Sequence, residues 1–432
     1  MLSHPLRPRP RIVVASLLTV VTLAATAAIG LASVRSYTPS PLDQDAAQTA
    51  EDALPRLAFL RSELDNGGGE RMQALFPEGY FFSSALYGLS WVNVAALDPG
   101  LRERALEEAR WALERLESDQ GTAPFPADAD PEYGVYHAGW SAWLRGRIVE
   151  LAGGVDAAPE EAALLEEDAA ELDAAFRAAL ESGTPYLTAY PGQAWPVDSV
   201  VAIAALRLDD RVRSAEEHTP TIEEWTRAVR DRTDPATGLI PHSADPRTGS
   251  PLEGARGSSQ ALLLRFLAEI DPAWAARDYA TFSRLFASDI AMLPGVREHP
   301  QGDGSPGDVD SGPLVFGLSA SASTVALGDA VLFNDGDAAD ALTGFAEATG
   351  SAIETGGERR YLGGVLPVGD AFLVWSLTAG GEHAAPDPAV SGEFSGWWRV
   401  PWHVATGILL VLLWWAVLRS WRPFLNRPGP LR

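Results

Sequence analysis

Two kinds of helical segment alternate six times along this chain, and that alternation limits what it can fold into. One kind is amphipathic and charged: residues 101–118, 159–182, 221–232, 272–291 and 335–353 each set an apolar stripe against Arg and Glu. Residues 43–64 fit the same pattern less well, because Pro55 disfavours a continuous helix. The other kind is small and apolar on nearly all faces: 81–97, 137–153, 197–208, 256–270, 311–328 and 368–380. A helix that is apolar all round is buried all round, and its Gly, Ala and Ser residues permit close approach. The buried segments recur at near-even spacing. Six pairs of one outer and one inner helix describe an all-α (α/α)6 toroid, and an α-solenoid of six hairpins is the competing arrangement.

Loop lengths add a direction. Connections from inner to outer helices are mostly short, such as 98–100, 154–158 and residue 271, whereas 119–136, 183–196, 233–255, 292–310 and 354–367 are long. In a toroid the long connections gather on one rim, and long loops on one face are the usual seat of function. The first turns of the inner helices face the same rim.

The toroid is expected to span residues 45–380, between linkers at 35–44 and 381–399. Residues 12–34 and 400–418 carry no charge and are long enough to cross a bilayer. Arg7, Arg9 and Arg11 precede the first; Arg419, Arg422, Arg427 and Arg432 follow the second. The positive-inside rule places both basic tails, 1–11 and 419–432, in the cytoplasm, with the domain between the spans outside it. The first span is read as an uncleaved anchor, and a cleaved signal peptide is its alternative.

Every Asp and Glu lies between the spans: residues 36–398 hold 58 acidic residues against 24 arginines, a net charge of −34. Such a surface repels nucleic acid and anionic headgroups, so a nucleic-acid function is excluded. The chain has no cysteine, which rules out disulfides, thiolate metal sites and a cysteine nucleophile. It also has no lysine, which rules out a lysine Schiff base.

The long-loop rim collects the candidate chemistry. Asp198 heads the third inner segment, within PGQAWPVDSVVAIAAL, and is read either as a helix cap or as a carboxylate aimed into the cavity. Asp310 and Asp370 carry the same two readings. Paired carboxylates at one cavity mouth are what inverting glycoside hydrolysis needs, so Asp198 and Asp310 are the candidate acid and base. His137 is the candidate proton carrier or a core histidine. Tyr136, Trp140, Gln193, Trp195, Arg256, Asp308 and Asp370 are the candidate substrate-binding residues. Trp195 suits a stacking platform, and Arg256 is expected to pair with Asp198 or Asp310 if it does not bind substrate. His242 and His299 fall in loops and are expected to be exposed. No Glu stands in this set. Asp303, Asp308 and Asp310 lie in a Gly-rich loop loosely like a calcium loop, but without EF-hand spacing. No organic cofactor is expected, and no Zn, P-loop or Gly-x-Ser-x-Gly motif is present.

Four blocks, YGVYHAGWSAWLRG (133–146), YPGQAWPVDSVVAIAAL (190–206), DPATGLIPHSADPRTGSPLEGARGSSQALLL (234–264) and GDVDSGPLVFGLSAS (307–321), resemble the linalool dehydratase/isomerase-like group of six-hairpin toroids. The resemblance covers roughly residues 45–380. It implies a central cavity, acid–base chemistry on an alcohol, and His137 as the position most like the family's pocket histidine. The family's pocket uses cysteines; this chain has none, and Val197 stands where one is expected. Three functions follow. The first is a membrane-anchored extracytoplasmic enzyme acting on a carbohydrate or alcohol. The second is a lyase or isomerase working without the cysteines, and the third is a non-catalytic envelope binding or scaffold module. Oligomeric state is not written in the sequence.

Overall fold

The computed structural model describes residues 10–288, 290, 292–382 and 393–425. Much of the expected 381–399 linker, and the basic tails with Arg7, Arg9, Arg427 and Arg432, lie outside the described residues.

The helices are α1 (Pro10–Arg35), α2 (Ala46–Asp65), α3 (Gly68–Gln73), α4 (Gly79–Leu97), α5 (Arg102–Leu116), α6 (Asp119–Thr122), α7 (Gly134–Ala152) and α8 (Pro159–Ser182). They continue with α9 (Pro196–Arg213), α10 (Thr219–Arg230), α11 (Gly257–Ile270), α12 (Pro272–Phe286), α13 (Ala320–Leu332), α14 (Gly336–Thr349), α15 (Pro367–Leu377) and α16 (Arg399–Leu425). Helices α4, α7, α9, α11, α13 and α15 are the apolar ones. Each packs on the next, and α15 packs back on α4, which closes the ring. The fold is therefore an (α/α)6 toroid; a solenoid would leave its first and last hairpins apart. The outer helices α2, α5, α8, α10, α12 and α14 lie against this ring.

Small residues set the inner spacing. On α7, a Cβ added to Gly139 would sit 3.0 Å from the Ala202 Cβ of α9, so glycine permits that close crossing. Helix α2 runs through Pro55 without a break. Helix α13 begins nine residues later than its apolar run, because Phe316 and Gly317 take positive φ in a turn.

The long connections carry three antiparallel hairpins: β1 (Ser243–Ala244) with β2 (Pro251–Glu253), β3 (Val296–Arg297) with β4 (Leu318–Ser319), and β5 (Ile353–Thr355) with β6 (Glu358–Arg360). The short connections form the opposite rim, where the turn after α15 fills the ring. There Glu382 accepts from Arg265 Nε on α11 at 2.9 Å and from Asn93 Nδ2 on α4 at 3.2 Å. These two helices are diametrically opposed in the ring order, so the turn plugs the toroid axis at that rim.

Helices α1 and α16 are long and apolar enough to cross a membrane, and they pack on one another. Trp414 and Trp421 of α16 donate to the Thr26 and Thr19 hydroxyls of α1 at 3.1 and 3.0 Å. Arg399 ties the pair to the toroid: its Nε donates to the Ser36 carbonyl at 2.7 Å, and its guanidinium binds Asp340 of α14 at 2.8 Å. Outer helices begin at the short-loop rim, and Asp340 lies in the first half of α14. The apolar pair is thus attached on the side opposite the long-loop rim.

Candidate active site

A cavity of about 210 Å³ opens at the long-loop rim. All six inner helices contribute to its wall near their first turns: Phe82, Tyr136, Asp198, Ser258, Ser321 and Phe372, in ring order. The connecting loops add Phe76, Glu78, Tyr190, Trp195, His242, Val309 and Asp310. The cavity volume is many times the space one water needs and suits a ligand of about one ring.

Asp198 is not the helix cap. Trp195 occupies the N-cap position of α9, Pro196 follows it, and Asp198 sits in the first turn with its side chain making no capping bond. Among the described residues no protein group hydrogen-bonds the carboxyls of Asp198 or Asp310. Asp198 is buried. Its pKa is raised well above the carboxylate range by burial, then by the charges of Glu78 and Asp310. Both effects favour its protonated form. Asp310 stands at the mouth, exposed on its outer side but crowded by the wall. Burial and then the charge of Asp308 push its pKa up to about 6, against the pull of Arg256. Tyr136 completes the floor: its hydroxyl is buried without a partner. Burial, then Glu78 and Asp198, hold its pKa well above the phenol range.

Two residues on this wall were not legible as site residues. Glu78 precedes α4 at its N-cap position without capping it, and its carboxylate accepts a short hydrogen bond from the Tyr190 hydroxyl. His242, expected to be exposed, is buried, carried inward by the apolar Leu239 and Ile240 beside it. Arg256 NH1 lies 3.3 Å from its Nε2. A guanidinium only donates, so Nε2 accepts and the neutral ring carries its proton on Nδ1, toward Ser259 Oγ. Burial, and then Arg256, lower the His242 pKa to about 4.

Other candidates lie elsewhere. His137 is absent from the cavity wall. It is packed among Phe81, Phe125 and Tyr133, with Nε2 3.2 Å from the Leu116 carbonyl, and burial lowers its pKa to about 4. That is a neutral core histidine. Trp140 is a core residue edge-on to Phe82 and Phe266. Gln193 is exposed in a turn, where its backbone alone bonds. Asp370 is buried in the first turn of α15, away from the cavity, and accepts from the Tyr361 N–H at 2.9 Å. Trp195 is on the wall, edge-on to Tyr190 with centroids 6.1 Å apart.

Arg256 pairs with neither Asp198 nor Asp310. Its Nε donates to Glu298 at 2.7 Å and its NH1 to Asp308 at 2.5 Å. Asp308 also accepts from the Asp310 N–H at 3.0 Å, so the ion pair fixes the loop that presents Asp310. The hydrogen bond from Arg256 is the largest factor holding the Asp308 pKa at about 2.

His242, Asp308 and Asp310 each offer a ligand atom within 4.8 Å of the others. Arg256 already supplies the positive charge there, bonded to two of the three, which disfavours a divalent cation. Asp303 turns away and bonds Ser305 at 2.7 Å, so the calcium-loop reading has no convergent ligand set.

No known protein family's model matches the chain, and no curated protein matches it. Among solved structures, the unsaturated glucuronyl hydrolase of Streptococcus agalactiae is similar with a TM-score of 0.37 at 11% identity, over 68% of this chain and 80% of that one. A likeness of that size carries no argument about the site.

Proposed function

We propose that the toroid is a membrane-anchored acid/base enzyme acting on a hydroxylated substrate of about one ring, with Asp198 as general acid and Asp310 as general base. The observation that supports it most is a buried carboxyl with no hydrogen bond and no cation, facing a cavity that also holds an ionisable partner. Such a carboxyl keeps its proton at neutral pH and can give it to a C–O oxygen that leaves. Asp310, titrating near pH 6, then takes a proton from water or from carbon. Tyr136, Tyr190 and Trp195 supply faces for a sugar or alcohol ring.

Hydrolysis of a glycoside and dehydration of an alcohol share that first protonation. The predominantly apolar wall, with Phe76, Phe82, Leu262, Val325 and Phe372, supports the second reading, a hydro-lyase of the linalool type without cysteines. Incorporation of labelled solvent oxygen identifies hydrolysis; an alkene product identifies the lyase. A scaffold role requires no carboxyl pair, and the pair in this cavity weighs against it. The basic flanks of the two spans support cytoplasmic tails and an extracytoplasmic toroid, whose cavity would open away from the bilayer.

The test is turnover by the full-length protein in detergent on a panel of glycosides and small alcohols. Asp198→Asn should lower kcat by about 10² or more while the melting temperature holds. Wild-type turnover that survives in Asp198→Asn would remove Asp198 from the mechanism.

A further inference from the structure

We infer that the cavity selects a substrate bearing an ammonium group, held by Glu78 between Tyr190 and Trp195. This rests on the acid/base reading and names the substrate class within it.

Acid/base chemistry needs two carboxyls, and the cavity holds three: Glu78, Asp198 and Asp310. No Arg lines it. Arg256, which fixes the Asp310 loop, is engaged by Glu298 and Asp308. The third carboxylate is therefore without a cation. It is also placed for one. Tyr190 donates to Glu78 Oε1, leaving Oε2 free for a ligand among the described residues. The Tyr190 and Trp195 rings meet at 90°, which presents one face and one edge to the same corner. Aromatic faces beside a carboxylate are the recognised chemistry of ammonium binding. The Tyr136 hydroxyl, buried and unpartnered on the same wall, offers a further acceptor.

Six helix N-termini also face the cavity and favour an anion. Against them stand the three lining acids, with no Arg among the described lining residues. An anionic substrate such as a uronate meets those acids and no lining guanidinium.

Glucosamine, glucose and glucuronate differ at one group and carry positive, zero and negative charge. Their binding to full-length protein in detergent is measured by calorimetry at pH 7 and low salt. Glucosamine should bind about tenfold or more tightly than glucose, glucuronate should not bind, and salt should weaken glucosamine alone. Glu78→Gln should bring glucosamine to the level of glucose. In the wild type, glucosamine affinity should climb from pH 5 to 7 as Asp310 on the same wall gains its charge near pH 6, while glucose stays flat, an arm that needs no variant. Equal affinity for glucose and glucosamine, preference for glucuronate, or no binding of glucosamine overturns the inference. The acid/base reading is judged separately, by turnover in Asp198→Asn, so either can fail alone.

Discussion

At the scale of single residues, burial of ionisable groups decides the chemistry. Asp278 and Asp370 are buried, and burial raises both pKa values to about 7. In the unfolded chain they protonate only near pH 4. The folded state therefore holds more protons between those values, and stability falls as pH rises through 7. The loss between pH 6 and 8 is roughly 1 kcal/mol for each. His137 and His242 act from the other side: lowered to about 4, they resist the protonation that the unfolded chain accepts near 6.5. The two effects nearly cancel between pH 4 and 6.5, so the melting temperature should change little there and fall from pH 6 to 8, and Asp370→Asn should flatten that alkaline limb. A melting temperature that rises from pH 6 to 8 would contradict this. Asp198 and Asp310 could be picked from the sequence because they head apolar runs on long-loop ends. Glu78 and His242 could not, since an acid before a helix and a histidine in a loop look like solvent-facing residues. His137 misled for the opposite reason: it heads an inner helix, but the helix turns it toward Phe81 and Phe125 rather than the cavity.

Among the elements, the helices were legible because two periodicities differ so plainly: charged amphipathic outside, apolar all round inside. The start of α13 was not, because the positive φ of Phe316 is invisible in composition. The pairing of α1 with α16 was equally hidden, since apolar spans carry no signal for the helix they meet. Two Trp–Thr hydrogen bonds now mark that seam. In an apolar surround each is worth about 0.6 kcal/mol. The double change Thr19→Val and Thr26→Val should thus cost about 1 kcal/mol, read as earlier unfolding of the full chain in mixed detergent titrations. No change would mean that packing alone holds the pair.

For the molecule as a whole, ring closure turns six hairpins into one cavity, and the two rims differ. One is open and lined with acids. The other is plugged by Glu382 on Arg265, whose side chain is 1% exposed. Asp329 lies buried beside them with both oxygens unpartnered; burial raises its pKa well above the normal range, against the pull of Arg265. Glu382→Ala strips a buried guanidinium of its partner and should cost roughly 3 kcal/mol, the low end of such losses because Asp329 can then ionise beside Arg265. The plug residue follows α15, where no periodicity announces it, so the sequence showed a ring but not which rim is sealed. In a toroid with one sealed and one acid-lined rim, its apolar helix pair attached at the sealed side, the cavity opens on the side away from that pair.

The proposed acid step requires a protonated Asp198. Infrared difference spectroscopy of wild type against Asp198→Asn at pH 7 reads it directly. A protonated-carboxyl band should be present in the wild type and disappear in the variant. A carboxylate band in its place would show Asp198 ionised at neutral pH, and it could not then serve as the acid.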